Sequence, residues 1–294
     1  MFTEYRKFIE LAKDDKSSHT IRSYSSNLES FFNGLNIVNL ESFEDVSTMD
    51  IRNYLSGMSK ENKASTVNAR LRIIRVFFNW MVANEFIENN SASGIKNFKE
   101  PKTIPVILTQ NERDNIILAC GNNLKLKLIM AILLYTGLRR EEVTNIKLED
   151  ISDGKLLVHG KGNKERILAI NEYVQNLIKE YLEKRGTNFE YLFCSQKGFG
   201  SSSGHWHKVS AEAIRQGVKK AAGLAGIDEK RIEGISCHTM RRTFACDLAR
   251  NQVSAFQIQK AVGHENITTT NLYLRAARAD IADGALMAQA APGS

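Results

Sequence analysis

In the segment VGHENITTTNLYLR, residues 262–275, Tyr273 follows His264 by nine positions. A phenol at that spacing is either a packing aromatic on a short helix or a nucleophile with an imidazole to hold the phosphate it attacks. With an ordinary pKa near 10, tyrosine attacks poorly unless a base or a strong positive field assists it. The local sequence leaves both readings open. The decision rests on what other segments supply.

Three of them carry polar residues that a bland helical fold does not need. In TGLRREEV, residues 136–143, Gly137 breaks the apolar run LKLIMAILLY and leaves Arg139 at the start of the next helix. A guanidinium there opposes the helix dipole, and an anion would relieve the conflict; the plainer reading is an exposed arginine. In KLLVHGKGNKERILAI, two β-prone runs, 156–159 and 166–170, flank Gly160-Lys161-Gly162-Asn163-Lys164, the composition of a hairpin tip. Lys161 between two glycines can approach a ligand and deliver a proton, or it can be a solvated turn lysine. In SCHTMRRTFACDLA, Ser236 or Thr239 begins a helix with His238 and Arg241 on one face, and Phe244, Leu248 and Met240 give its buried side. Two cations side by side repel, so a neutral His238 beside Arg241 points to a shared anion.

Together these segments hold two arginines, a lysine, two histidines and a tyrosine. Paired guanidiniums can grip the non-bridging oxygens of a phosphodiester and stabilise a pentavalent transition state. Lysine serves as the acid for a leaving oxygen once cationic neighbours lower its pKa. A metal site from Cys194, His205 and His207 has i, i+2 histidine spacing in a Gly/Ser-rich loop, and no further ligand pattern accompanies it.

These groups need a scaffold, and 294 residues allow two domains. Residues 1–95 read as an all-helical module. In STVNARLRIIRVFFNWMVANEF, Val67, Leu71, Ile74, Phe78 and Met81 form an apolar stripe, with Ser65 or Thr66 as N-cap. Arg70, Arg72 and Arg75 lie off its centre, free to face solvent or phosphate, and are candidate DNA contacts. HTIRSYSSNLESFFNGL repeats the pattern through Ile21, Tyr24, Leu28, Phe31 and Phe32, with Gly34 as its stop. Residues 96–108 read as a linker, polar and basic with two of the three prolines. Thr109 and Glu112 then form a capping box that opens a second domain, 109–294, mostly helical with one β-hairpin and a further short strand in YLFCSQ. The expected fold class is mainly α with a small sheet.

A net charge of +7 and a pI near 9.1 favour an anionic partner, nucleic acid first. No apolar run approaches twenty residues, and MFTEYRKFIE lacks a signal-peptide core, so the expectation is a cytoplasmic protein with no membrane span. Cys120, Cys194, Cys237 and Cys246 contain no CxxC pair, which points to reduced thiols rather than disulfides or zinc.

The set TGLRREEV, GKGNKER, HTMRR and VGHENITTTNLY, in this order, resembles the tyrosine recombinases of the phage integrase family, and size and hairpin sequence look most like the Xer branch. HTIRSYSSNLESFF and KTIPVILTQNE are similar to that family's core-binding domain and its connection, so the resemblance covers nearly the whole chain. It implies Arg139 and Arg241 as the phosphate clamp, Lys161 as acid to the 5′-oxygen and His238 as proton partner of the nucleophile. His264 would bond the scissile phosphate, Tyr273 would form a 3′-phosphotyrosyl link, and Glu142 would buttress the site by orienting a basic neighbour. Lys164 and Arg242 are further candidate DNA contacts. The resemblance implies no metal, ATP or other cofactor. It implies double-stranded DNA with a specific recombination site as partner, a homotetramer on synapsed DNA, and a monomer or dimer when free. The task would be chromosome or plasmid dimer resolution, or integration of a mobile element by the same chemistry.

The tail RAARADIADGALMAQAA is similar to the helix such enzymes dock on a neighbouring protomer; packing in cis is the alternative. Arg140-Glu141 and the missing proline after Asn89-Asn90 depart from the family pattern without touching a catalytic position. Two rivals remain at this stage. FQIQKAVGHENITTTNLYLR also reads as a helix-turn-helix of a regulator, which leaves Arg139 and His238 unexplained. A type IB topoisomerase shares the chemistry without a synaptic tetramer. Because the phenol must leave the core to reach a phosphate, Tyr273 is expected to sit displaced from the other five groups when DNA is absent.

Overall fold

The apolar stripes of the first hundred residues fold into helices whose phenylalanines meet in one core. The computed structural model describes residues 3–35, 43–101, 106–160, 164–196 and 206–263. The chain divides into two compact units, Met1–Thr103 and Ile104–Ser294.

In the first unit, α1 (Thr3–Asp15), α2 (Ser18–Gly34), α3 (Thr48–Ser59) and α4 (Ala64–Ala83) surround an aromatic centre. Phe77 of α4 lies 5.3 Å from Phe8 and 5.3 Å from Phe43, ring centre to ring centre, both edge-on. Such pairs add about 0.5–1.5 kcal/mol each beyond the area they bury. Val67, Leu71, Ile74 and Phe78 are fully buried and Met81 nearly so, as their spacing demands. The start of α4 differs from expectation. It begins at Ala64 after an extended Lys63 that makes no side-chain cap, so Ser65 and Thr66 lie inside the first turn. Burial of Val67 and Asn68 fixes this end instead of a hydroxyl cap. Asn68 donates to the Phe98 carbonyl at 2.9 Å and accepts from the Phe98 N–H at 2.7 Å, tying the returning chain to α4.

In the second unit the predicted capping box opens α5 (Gln110–Ala119). The Thr109 N–H donates to Glu112 at 2.8 Å and the Glu112 N–H donates to the Thr109 hydroxyl at 3.2 Å. The next helix, α6 (Leu124–Thr136), is apolar on every side and buried from Leu128 to Leu134. A helix of that kind belongs at a centre. Around it lie α5, α7 (Arg140–Thr144), α8 (Glu172–Arg185), α9 (Ala211–Leu224) and α11 (Cys237–Arg250). Two shorter helices, α10 (Glu229–Gly234) and α12 (Ala255–Val262), flank α11 in sequence. Gly137 ends α6 with φ +62°, and a Cβ there would stand 2.3 Å from the Phe244 ring. Only glycine meets both conditions.

The hairpin forms a three-stranded antiparallel sheet of β1 (Ile151–Ser152), β2 (Lys155–His159) and β3 (Glu165–Ala169). Its register pairs Leu156 with Leu168, Val158 with Arg166 and His159 with Glu165. Leu156, Val158 and Leu168 face the core. The expected strand in YLFCSQ is β4 (Cys194–Gln196), antiparallel to β5 (Trp206–Lys208). A mainly helical chain with small antiparallel sheets agrees with the fold class read from the sequence.

All four cysteines are buried and unlinked. Among the described residues no group of three His, Cys, Asp or Glu side chains could hold a metal, and no helix is long and apolar enough to cross a membrane. Cys194 is buried on β4 and His207 exposed on β5, while His205 lies outside the described residues.

Candidate active site

Residues from α7, α9 and α11 border a cleft of about 350 Å³ lined by Arg139, Arg140, Glu141, Arg215, Ser236, Cys237, His238 and Arg241. Its geometry follows from how three helices end or begin beside it.

Arg139 is the N-cap of α7, in extended backbone at φ −69°. The conflict between a guanidinium and the helix dipole is resolved inside the chain. Glu142, three residues on, accepts from the Arg139 N–H at 2.8 Å and from its Nη1 at 2.9 Å. A carboxylate of the protein is therefore one anion at this end. Glu142 is only 5% exposed, whereas Arg139 is 41% exposed. Burial pushes the Glu142 carboxyl up, but its bonds to Arg166 and Arg139 outweigh that and hold it below the usual carboxylate range.

Arg241 differs from expectation in depth. Its helix α11 starts at Ser236, whose hydroxyl accepts from the Thr239 N–H at 3.3 Å. The predicted inner side was Met240, Phe244 and Leu248; Met240 is buried, but Phe244 and Leu248 are half-buried and Arg241 is 1% exposed. The guanidinium goes inside because carbonyls wait for it there. Nη1 donates to Gly137 O at 2.8 Å, and Nη2 donates to Val262 O. These carbonyls belong to the C-terminal ends of α6 and α12, where unpaired acceptors and the negative end of the dipole favour a cation.

Three arginines from three elements converge on the end of α12. Arg166 Nε donates to Ala261 O at 3.1 Å, Arg241 to Val262 O and Arg139 to Gly263 O. Gly263, at φ +65°, closes that helix directly before His264.

His238 opens to the cleft one turn before Arg241. Partial burial, then the guanidiniums of Arg242, Arg241 and Arg139, lower its pKa below the ordinary histidine value. A ring held neutral at neutral pH can accept a proton from a phenol, as a base must. Cys237 lines the same cleft, but burial pushes its thiol up, which leaves it protonated and inert.

Lys161, His264 and Tyr273 lie outside the described residues, as does the C-terminal tail. The expected displacement of Tyr273 falls there too. The base of the hairpin is described: the Gly160 N–H donates to Lys164 O at 2.7 Å. Lys164 is exposed beside it, and Arg242 is half-buried on α11. Arg139, Glu142, His238 and Arg241 thus come together, from positions as far as 102 residues apart in sequence (139 to 241).

The candidates on α4 divide. Arg70 Nε donates to Asn27 Oδ1 at 2.5 Å, and Nη1 donates to the Tyr54 hydroxyl. Arg75 donates to the carbonyls of Ala92 and Ile95 and to Asn97. Both direct donors to partners within the first unit, while Arg72 is exposed.

Sequence reasoning passed over Arg166 on β3. Its Nη1 and Nη2 donate to the two Glu142 oxygens at 3.0 and 2.8 Å, and it is 15% exposed. One signal was available. Alternation puts Arg166 on the same strand face as Leu168, so a charge sits on an apolar face and needs a partner there.

The sequence pattern of the phage integrase family matches residues 107–279, and that of the phage integrase N-terminal SAM-like domain matches residues 3–85. The chain is 30% identical over 287 residues to a tyrosine recombinase XerC of Thermodesulfovibrio yellowstonii, covering 92% of this chain and 90% of that protein. It is 31% identical over 284 residues to a tyrosine recombinase of Agathobacter rectalis, covering 91% and 89%. In fold it is similar to a lambda integrase dimer (residues 75–356) bound to a COC′ core site, with a TM-score of 0.75 at 20% identity over 93% of this chain and 95% of that one. The XerH site-specific recombinase bound to palindromic difH gives a TM-score of 0.75 at 20% identity, over 96% and 83%.

Proposed function

The chain belongs to the phage integrase family of tyrosine recombinases, and from that premise we propose that it cuts and rejoins DNA strands at a specific site through a 3′-phosphotyrosyl intermediate on Tyr273. The observation that carries this reading is the convergence of Arg139 and Arg241 with a neutral His238 in one cleft. That is the equipment for gripping a phosphodiester and accepting a phenolic proton.

In the proposed reaction, the phenol oxygen of Tyr273 attacks the scissile phosphorus and gives its proton to His238. Arg139 and Arg241 stabilise the charge that builds on the non-bridging oxygens, with His264 donating a further hydrogen bond. The bond to the 5′-oxygen breaks, and Lys161 protonates that oxygen. The phosphotyrosyl ester keeps the energy of the broken bond. A 5′-hydroxyl from the same or another strand then reverses the step and rejoins the DNA without ATP. The partner is double-stranded DNA, and a homotetramer on two synapsed sites supplies the strands to be exchanged. The tail after Tyr273 docks on a neighbouring protomer. Residues 1–95 act as a DNA-contacting module joined through residues 96–108 to the catalytic domain 109–294. The biological task is resolution of chromosome or plasmid dimers in the cytoplasm, which the near full-length similarity to Xer recombinases supports.

A nicked suicide duplex carrying the sequence that the chain itself selects from a randomised library tests the chemistry. The expected result is a covalent protein–DNA adduct on a denaturing gel, absent in Tyr273→Phe. An adduct that persists in Tyr273→Phe removes the nucleophile assignment. Simple relaxation of supercoils without site-dependent joining would make the protein a topoisomerase instead.

A further inference from the structure

Arg166 has no part in the reaction just described, yet it touches the same framework as Arg139, which does. Its guanidinium bonds both oxygens of Glu142 and the Ala261 carbonyl. It also lies under Gly263, where a Cβ would stand 3.1 Å from Nη1. On β3 it is two residues beyond Lys164, at the base of the hairpin whose tip holds Lys161. One planar group thus joins the hairpin base, the start of α7 and the end of α12.

The charges explain why that junction matters. Glu142 takes four hydrogen bonds, two from Arg139 and two from Arg166. Two guanidiniums against one carboxylate leave a net positive charge, held on a geometry in which Arg139 remains 41% exposed to the cleft. Without Arg166, Arg139 and Glu142 become a neutral pair, and a buried carboxylate with two empty acceptor positions draws Arg139 toward itself. The field that an incoming phosphate meets then weakens, although no group touching the phosphate has been removed.

We propose that Arg166 is a positioning residue for strand cleavage. It fixes Glu142 so that Arg139 faces the scissile phosphate, and it registers the Gly263 end of α12 against the base of the lysine hairpin. The proposal rests on the recombinase reading above.

It carries a pH signature that an ordinary packing residue does not. The charged groups facing Glu142 are Arg139 from its own helix and Arg166 from β3. The neighbouring α9 brings Arg215 and Glu212, which pair with each other at 2.6 Å, and α11 brings Arg241, which bonds carbonyls. Burial raises the Glu142 carboxyl, and Arg166 heads the contacts that hold it down. A carboxylate held low supports the native site above its ordinary pKa and loses that support only as pH falls through the lowered value. Removing Arg166 leaves burial in force, so the acid loss moves to higher pH.

The test is single-turnover adduct formation by the full chain on the nicked duplex described above, from pH 4 to 8, with DNA binding measured in parallel. Arg166→Ala is expected to slow cleavage about 100-fold at neutral pH, to change DNA affinity less than about threefold, and to shift the acid limb upward. Arg166→Lys keeps the charge without the two-pronged contact, and is expected to recover about tenfold with its acid limb near that of the unsubstituted chain. Arg166→Ala combined with Glu142→Gln removes the orphaned charge and should abolish the shifted limb. Cleavage by Arg166→Ala within threefold of the unsubstituted chain overturns the proposal, as does a slowed rate with an unmoved acid limb. Should Arg166→Ala not fold, a folded Arg166→Lys cleaving at the full rate overturns it equally. Absence of any adduct from the unsubstituted chain overturns the recombinase reading first, and this role with it.

Discussion

In the first unit Arg75 reaches from α4 to the turn that follows, donating to the carbonyls of Ala92 and Ile95 and to Asn97. In the second unit Arg241 reaches from α11 to the carbonyls of Gly137 and Val262. Both arginines fasten backbone, and both were picked from the sequence as candidates to meet DNA. Their surroundings separate them. Arg75 completes a local turn with a neutral side chain beside it. Arg241 joins the C-terminal ends of two helices that stop at left-handed glycines or directly before one, with Arg139 and Arg166 on adjacent carbonyls and a cleft open alongside. The same contact is a staple in one place and part of the proposed phosphate clamp in the other. An arginine becomes a catalytic candidate when several converge with fewer carboxylates than guanidiniums.

That contrast can be broken by substitution. Arg241→Ala has the largest expected effect: cleavage should fall about 100- to 1,000-fold, as when a transition-state donor is lost. Two buried carbonyls also lose their donor, at about 1–3 kcal/mol each, so chemical denaturation should register the change as well. Gly137→Ala comes next. It puts a side chain at φ +62° and against the Phe244 ring, and should cost about 3 kcal/mol from left-handed strain plus overpacking. A midpoint unchanged from the native chain would show that α6 can end without glycine. Arg75→Ala should cost about 1–2 kcal/mol of stability, with cleavage by the folded fraction unchanged. If its cleavage falls as far as that of Arg241→Ala, the distinction between staple and clamp fails.

A smaller effect follows from His238. Its pKa is lowered, so the native state favours the neutral ring. That contribution to stability is present above the ordinary histidine value near 6.5 and declines as pH falls below it, because the unfolded chain then binds the proton more readily. Cleavage should hold level through pH 6.5, and Arg242→Ala, which removes the cation that lowers the ring's pKa most, should move both the ring's NMR titration and the acid limb of cleavage to higher pH. The smallest expected change is from Arg72→Ala on the exposed side of α4. Stability should be unaffected, while the slope of DNA affinity against salt drops by about one phosphate contact. An unchanged slope would remove Arg72 from the candidate DNA contacts on α4.

Much of this was written in local sequence. The stripe from Val67 to Met81, the stop at Gly137, the capping box at Thr109 and the two arms of the hairpin depend on neighbours within a few residues, and each formed where its pattern lies. The identities of Arg139, His238 and Arg241 as candidates were legible for the same reason: their motifs are short. What tertiary structure alone decided is who partners them. No spacing rule says that Arg241 goes fully inside, or that Arg70 and Arg75 turn back onto their own unit. Nor does any rule announce that Arg166, from a strand, shares the carboxylate of a helix 24 residues earlier. Local patterns are set by backbone geometry over one or two turns. The pairing of charges is set by which ends of which helices the packed core brings together, and that is a property of the whole fold.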